Sequence, residues 1–103
     1  MNWRELYYER TVTAQEAVSR IKSGDRVVLG HACAEPMYLV DAMVNNAEAY
    51  ENVEIVQMVP MGNCRYLEPG MEKHFRLNAI FVGAKTRQAI DEGRADFTPC
   101  SFA

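Results

Sequence analysis

The chain is 103 residues long, 49% hydrophobic and 24% charged, with a formal net charge of −3 and a pI near 5.3. That is the composition of one ordinary globular domain with a modest core, and the acidic balance excludes the clustered Lys/Arg surplus of a nucleic-acid footprint. The longest apolar runs, 27–30 and 79–83, are far too short for a membrane span, and residues 1–6 lack the apolar centre of a signal peptide.

Thr13 and Glu16 read as a capping box. Ala14, Ala17, Val18 and Ile21 then keep helical spacing, which predicts a helix over 13–23 closed by Gly24. The turn at 23–25 feeds a nearly all-apolar run, 26–30, of the kind that suits a buried parallel strand. A loop over 30–35 follows. Pro36 opens a second helix in its first turn, where a missing N–H costs nothing, and Leu39, Val40, Met43 and Val44 supply its buried face. A second strand is expected over 53–59, apolar at alternate positions with polar gaps at Glu54 and Gln57, leaving through a loop over 60–65. Residues 66–74 carry no clear element. A third strand is expected over 77–82, a helix over 84–92 between Gly83 and Gly93, and a fourth strand over 96–98 that starts an onward connection to Ala103.

Strands alternating with helices at this spacing predict an α/β fold: an open, mainly parallel sheet with flanking helices and right-handed crossovers. Ligands of such sheets bind beyond the carboxyl ends of the strands. The loops 30–36, 59–65 and 83–86 leave those ends and should lie side by side, with Gly30, Ala32, Ala34, Gly62 and Gly83 allowing close approach to the backbone.

The chemistry-bearing residues are few. Neither GxGxxG nor GxxxxGK[ST] occurs, so a dinucleotide or P-loop site has no support. Cys33, Cys64 and Cys100 are odd in number and widely spaced, which points to a reduced, cytoplasmic setting, and no Cys/His grouping has metal spacing. Cys33 reads as a buried, inert thiol. His31 is either a donor at the first strand's end or a structural loop residue. Glu35 is either a site residue or a helix cap. The residues themselves yield a soluble α/β piece with a ligand edge and no evident catalytic machinery.

The stretch from Thr11 to Val18, then 21–27, His31, Ala34-Glu35-Pro36, Leu39-Val40 and Ala42-Met43, resembles the amino terminus of the acetyl-CoA hydrolase/transferase family, in particular its 4-hydroxybutyrate and butyryl-CoA:acetate branch. Phe81-Val82-Gly83, Arg87 and the run 90–99 fit the same pattern, so the resemblance covers essentially the whole chain.

The resemblance implies CoA transfer between an acyl-CoA and a short carboxylate such as acetate. Two similar α/β domains would face each other, and a glutamate of the second would attack the thioester, beside a glycine-rich oxyanion segment. Residues 1–103 would be an incomplete amino-terminal domain, with that catalytic domain absent, so no catalytic residue is assigned here. What carries over is the first-domain wall of the acyl site: Gly30, His31, Ala34, Glu35 and Pro36 from the first loop, and Met61, Gly62 and Asn63 from the second. His31 would orient a carboxylate. No tightly bound cofactor or metal is implied, coenzyme A entering as the substrate thioester. The implied partners are acyl-CoA, a short carboxylate, the remainder of the polypeptide and a second copy in a homo-oligomer, with neither nucleic acid nor membrane. The fragment by itself should be inactive, and marginally stable or self-associating through an unpaired edge and an uncovered apolar face. Three alternatives stay open: an acyl-CoA hydrolase, a non-catalytic α/β binding module, and a sugar-phosphate isomerase-like protein relying on Arg65, Lys85 and Arg87.

Overall fold

A computed structural model describes residues 2–101; Phe102 and Ala103, at the end of the expected onward connection, lie outside the described residues. Strands β1 (Arg26–Val28), β2 (Val53–Gln57), β3 (Phe75–Ala79) and β4 (Ala95–Phe97) form one sheet in the order β1-β2-β3-β4, each parallel to the next. The helices are α1 (Trp3–Arg10), α2 (Ala14–Val18), α3 (Met37–Asn45) and α4 (Ala84–Asp91). The expected α/β fold with an open parallel sheet is therefore present. The third strand starts two residues earlier than its apolar run suggests, and its crossover from β2 uses a 3₁₀ turn, Arg65–Leu67, in place of an α-helix.

A strand order that follows the chain sends every right-handed crossover to the same face. Burial agrees. Val53, Ile55 and Gln57 of β2 and Phe75, Leu77 and Ala79 of β3 are buried, under Val40, Met43 and Val44 of α3 and Ala89 of α4. Tyr50 ties the helical layer together: its hydroxyl donates to the Val18 carbonyl and accepts from Asn46 Nδ2 at 2.9 Å. The His74 ring joins it, with Nδ1 2.8 Å from the Tyr50 carbonyl oxygen.

The other face is bare, which overturns the expectation of a buried first strand: Val28 is 72% exposed. The uncovered face is also not apolar as expected. Arg26 pairs with Glu54 at 3.2 Å, Asn78 donates to Glu54 at 3.2 Å, and Arg76 makes a two-pronged bond to Asp96 at 2.7 and 2.8 Å. Exposed pairs of this kind contribute about 0–1 kcal/mol each. Their larger effect is to make the face wettable, with Val28 and Val56 its apolar members within the strand register.

Two helices differ from the sequence reading. The helix expected over 13–23 stops at Val18, although Thr13 Oγ1 caps it as predicted, accepting from the Glu16 N–H at 3.1 Å. Ser19 donates its hydroxyl back to the Glu16 carbonyl at 2.6 Å, the local competition by which serine loosens a helix end. Asp25 then takes the Lys22 N–H at 2.9 Å, and Gly24 turns the chain at φ +85°. Helix α1 has no counterpart in the sequence reading. Asn2 caps it by accepting from the Arg4 N–H at 3.0 Å, but the helix buries no residue and so has no apolar stripe to read.

Candidate functional site

The strand register brings the carboxyl ends of β1, β2 and β3 into line, since Val28 pairs with Val56, and Gln57 with Ala79. The three exit loops do lie side by side, and they are bonded to one another. In the first loop the Ala32 N–H donates to the Val59 carbonyl of the second at 2.7 Å. Lys85, at the start of α4, donates its ammonium to the carbonyls of Met61, at 3.3 Å, and of Gly62. An open apolar cleft of ≈ 320 Å³ separates the second and third loops, lined by Val59, Pro60, Met61, Phe81, Gly83 and Lys85 among others.

Glu35 is the centre of the arrangement. It is 9% exposed, and its carboxylate Oε1 accepts from the Gln57 amide. It does not cap α3; its backbone carbonyl accepts from the Met37 N–H at 3.0 Å. The same Gln57 Nε2 donates to the Gly30 carbonyl at 3.1 Å, and Gln57 Oε1 accepts from the Tyr66 hydroxyl at 2.5 Å. Cys64 Sγ lies 3.9 Å from that hydroxyl. Burial is the main force raising the Tyr66 hydroxyl and the Cys64 thiol above their ordinary values, with the Glu35 charge acting in the same sense on both. Both are therefore neutral at working pH.

Two glycines are fixed by close approach. A Cβ on Gly30 would come 2.5 Å from the Ala34 carbonyl oxygen, and one on Gly62 would collide with Glu35 Oε2. Ala32 and Cys64 hold left-handed backbone at φ 53° and 52°, a cost on the order of 1–3 kcal/mol each for non-glycine residues. Both flank the bonded loops.

Gly30, Ala34, Glu35 and Pro36 are thus gathered with Gly62 and Asn63, the last two sharing with Glu35, Met37, Val40 and Asp41 a small cavity of ≈ 100 Å³. Met61 faces the apolar cleft and is half-exposed. His31 is exposed at the strand end, clear of the core. Cys33 is also exposed, which corrects the expectation of a buried thiol; the 3₁₀ turn Ala32–Ala34 turns it outward. The sequence reading misses Gln57, Tyr66 and Phe81 as candidate site residues, and it names Lys85 only for the sugar-phosphate alternative. Among the described residues no group of three or more His, Cys, Asp or Glu comes together, and no helix is long and apolar enough to cross a membrane.

Comparison with known proteins gives a consistent result. Residues 1–103 match the acetyl-CoA hydrolase/transferase N-terminal domain. The chain is 53% identical over 102 residues to a 4-hydroxybutyrate coenzyme A transferase of Clostridium kluyveri, covering 99% of this chain and 24% of that protein. It is 29% identical over 106 residues to a butyryl-CoA:acetate CoA-transferase of Anaerostipes caccae, covering 100% and 23%. Among solved structures, RipA from Yersinia pestis superposes with a TM-score of 0.85 at 26% identity, covering 99% of this chain and 26% of RipA. The chain thus spans about a quarter of the length of the relatives it matches.

Proposed function

Because the chain belongs to the acetyl-CoA hydrolase/transferase family, we propose that it forms one wall of the acyl site in an enzyme that moves CoA from an acyl-CoA to a short carboxylate. The observation that carries this reading is the bonding of the strand-end loops into one surface around Glu35, at the edge where parallel sheets bind ligands. Gly83, with open space where a side chain would stand, supplies backbone that an acyl chain can approach closely. Met61 and Phe81 supply apolar surface beside it. His31, exposed at the first strand's end, is placed to donate to a carboxylate.

Glu35 is not the nucleophile in this reading. Its carboxylate is mostly buried and already engaged by Gln57, whereas a thioester must be met by an accessible, correctly aimed oxygen. The attacking carboxylate comes from a part of the protein beyond these residues, in a second domain facing the three loops. That carboxylate bonds the acyl carbon as the acyl–sulfur bond breaks, the released thiolate attacks the carbonyl of the attacking side chain and frees the acyl group as a carboxylate, and the acceptor then takes CoA by the same two steps in reverse. The chain's own part is positioning and exclusion of water.

The test uses the full-length protein carrying this chain, supplied with butyryl-CoA or 4-hydroxybutyryl-CoA and acetate. Acetyl-CoA should form at an ordinary enzymatic rate, about 1 per second or faster. Release of free CoA at the same rate with or without acetate would establish a hydrolase, and no acyl transfer to either acceptor would overturn the proposal.

A further inference from the structure

We propose that Lys85 is a substrate-binding residue: its ammonium holds the carboxylate of a short straight-chain acid whose alkyl tail lies in the apolar cleft between the second and third loops. The proposal rests on the reading of these loops as an acyl-site wall and goes further, to one residue of that wall and the form of the acid it takes. Lys85 stands in the first turn of α4 and crosses to the second loop, where Nζ donates to the Met61 carbonyl at 3.3 Å and to the Gly62 carbonyl. A lysine side chain ordinarily moves among many rotamers; two carbonyls fix this one. They do not neutralise it. A carbonyl carries only a partial charge, and none of the ion pairs among the described residues uses Lys85. Arg94, on the adjoining surface of α4, is by contrast paired with Glu92 at 2.8 Å. An ammonium has three N–H donors. Two are engaged, and the exposed position of Lys85 leaves the third for a ligand.

The surroundings of that charge say what the ligand is. Lys85 lines the cleft of ≈ 320 Å³ whose other walls include Val59, Pro60, Met61 and Phe81, and it is the one charged residue in that lining among the described residues. Met61 and Phe81 are half-exposed there, with apolar surface to cover. One fixed cation beside apolar walls complements a monoanion with an alkyl tail. Phosphate and sulfate have no apolar part to set against Phe81, and a dianion meets no second cation. A monocarboxylate satisfies both features: one oxygen accepts from Lys85, and the tail displaces water from the walls. A methylene fully removed from water there tightens binding about fourfold, so butyrate fits the cleft better than acetate. The acid is the acceptor before transfer and the released acyl group after it, so one subsite serves both directions. His31 belongs to the first loop and Lys85 to the third, on either side of the second.

The experiment titrates the full-length protein calorimetrically with acetate, butyrate and the neutral analogue butyramide, for the unmodified chain and for Lys85→Gln, Lys85→Arg and Phe81→Ala. Butyrate should bind about fivefold more tightly than butyramide, the scale of one solvent-accessible ion pair, and more tightly than acetate. Lys85→Gln keeps a donor for the Gly62 carbonyl but no charge, and it should erase the preference for butyrate over butyramide. Lys85→Arg should retain that preference. Phe81→Ala should weaken butyrate and leave acetate unchanged. Melting temperature and acyl transfer are measured on the same samples. If Lys85→Gln melts lower yet keeps the preference, Lys85 is only a strut between two loops and the proposal is overturned. If Lys85→Gln does not fold, Phe81→Ala decides, since an unchanged butyrate affinity in that variant also overturns the proposal. An active unmodified enzyme that binds butyrate and butyramide alike overturns this inference and leaves the proposed function intact. An inactive one that keeps the Lys85-dependent preference removes the functional reading and supports this one.

Discussion

Gly62 and Glu35 are in such close approach that no side chain fits between them: a single methyl on Gly62 would occupy the position of the Glu35 carboxylate. The second loop therefore uses glycine because of a side chain in the first, twenty-seven positions away in the chain. Gly62→Ala should push the carboxylate off the Gln57 amide. We expect a loss of about 1–3 kcal/mol, the usual cost of overpacking, together with a fall in acyl transfer by the full-length enzyme. Thermal unfolding beside steady-state kinetics checks both. An unchanged melting temperature would show that the loops yield more readily than their bonding implies.

His31 gives the opposite pattern. It is exposed and caps nothing with its side chain. His31→Ala should therefore change stability by no more than about 0.5 kcal/mol. In the full-length enzyme it should slow turnover by roughly 10²–10³, the effect of deleting one well-placed donor. Near-normal turnover in the variant would remove His31 from the site.

Alkaline pH should weaken the fold through the Tyr66–Cys64 pair. Burial raises both groups above their ordinary values of 10.0 and 9.0. The unfolded chain then gives up these protons at a pH where the native state still holds them. Stability is complete below 9.0 and falls as the pH climbs through 9.0 and 10.0. Melting temperatures at neutrality and above pH 10.0 would show the decline, and Tyr66→Phe should flatten its upper part. A melting temperature constant across that window would contradict the burial of the network.

The bare sheet face should respond to acid. Arg76 hydrogen-bonds Asp96 and holds its carboxyl below the usual 3.8. The stabilisation is present above 3.8 and disappears as the pH drops through the lowered value. Both groups are well solvated, so the loss is about 1 kcal/mol or less. Arg76→Met should abolish this part of the acid sensitivity and cost little at neutral pH, as read from denaturant midpoints at the two pH values.

The loops are legible because glycine and proline punctuate them, and residues 30–36 and 59–65 stand where the sequence puts them. The bonds from Gln57 to Glu35 and Gly30 are legible in principle, from strand parity. Glu54 and Gln57 both read as polar gaps in an apolar strand, yet they are three apart and so fall on opposite faces. Val53 and Ile55 fix the inward parity, which makes Gln57 the buried one and Glu54 the partner of Arg26. Tyr66 cannot be read in this way. Its place depends on a 3₁₀ turn entered through left-handed Cys64, and on Arg65 reaching Asp41 and Asn45 in α3. Such long-range bonds leave no period in the sequence. The early end of α2 is a similar case, decided by the Ser19 hydroxyl against good helical spacing.

The sheet order β1-β2-β3-β4 bears on how the chain is made. During synthesis each strand emerges after the neighbour it pairs with, and none has to wait for a later segment to be inserted between existing strands. Every pairing closes a loop of only a few tens of residues, so the entropy of closure stays small and nearly equal from step to step. Domains form from the amino terminus as the chain leaves the ribosome, and this one can add strands in the order they appear. The Glu35–Gln57 bond joins the loop after β1 to the end of β2, so it needs no residue of β3 or β4.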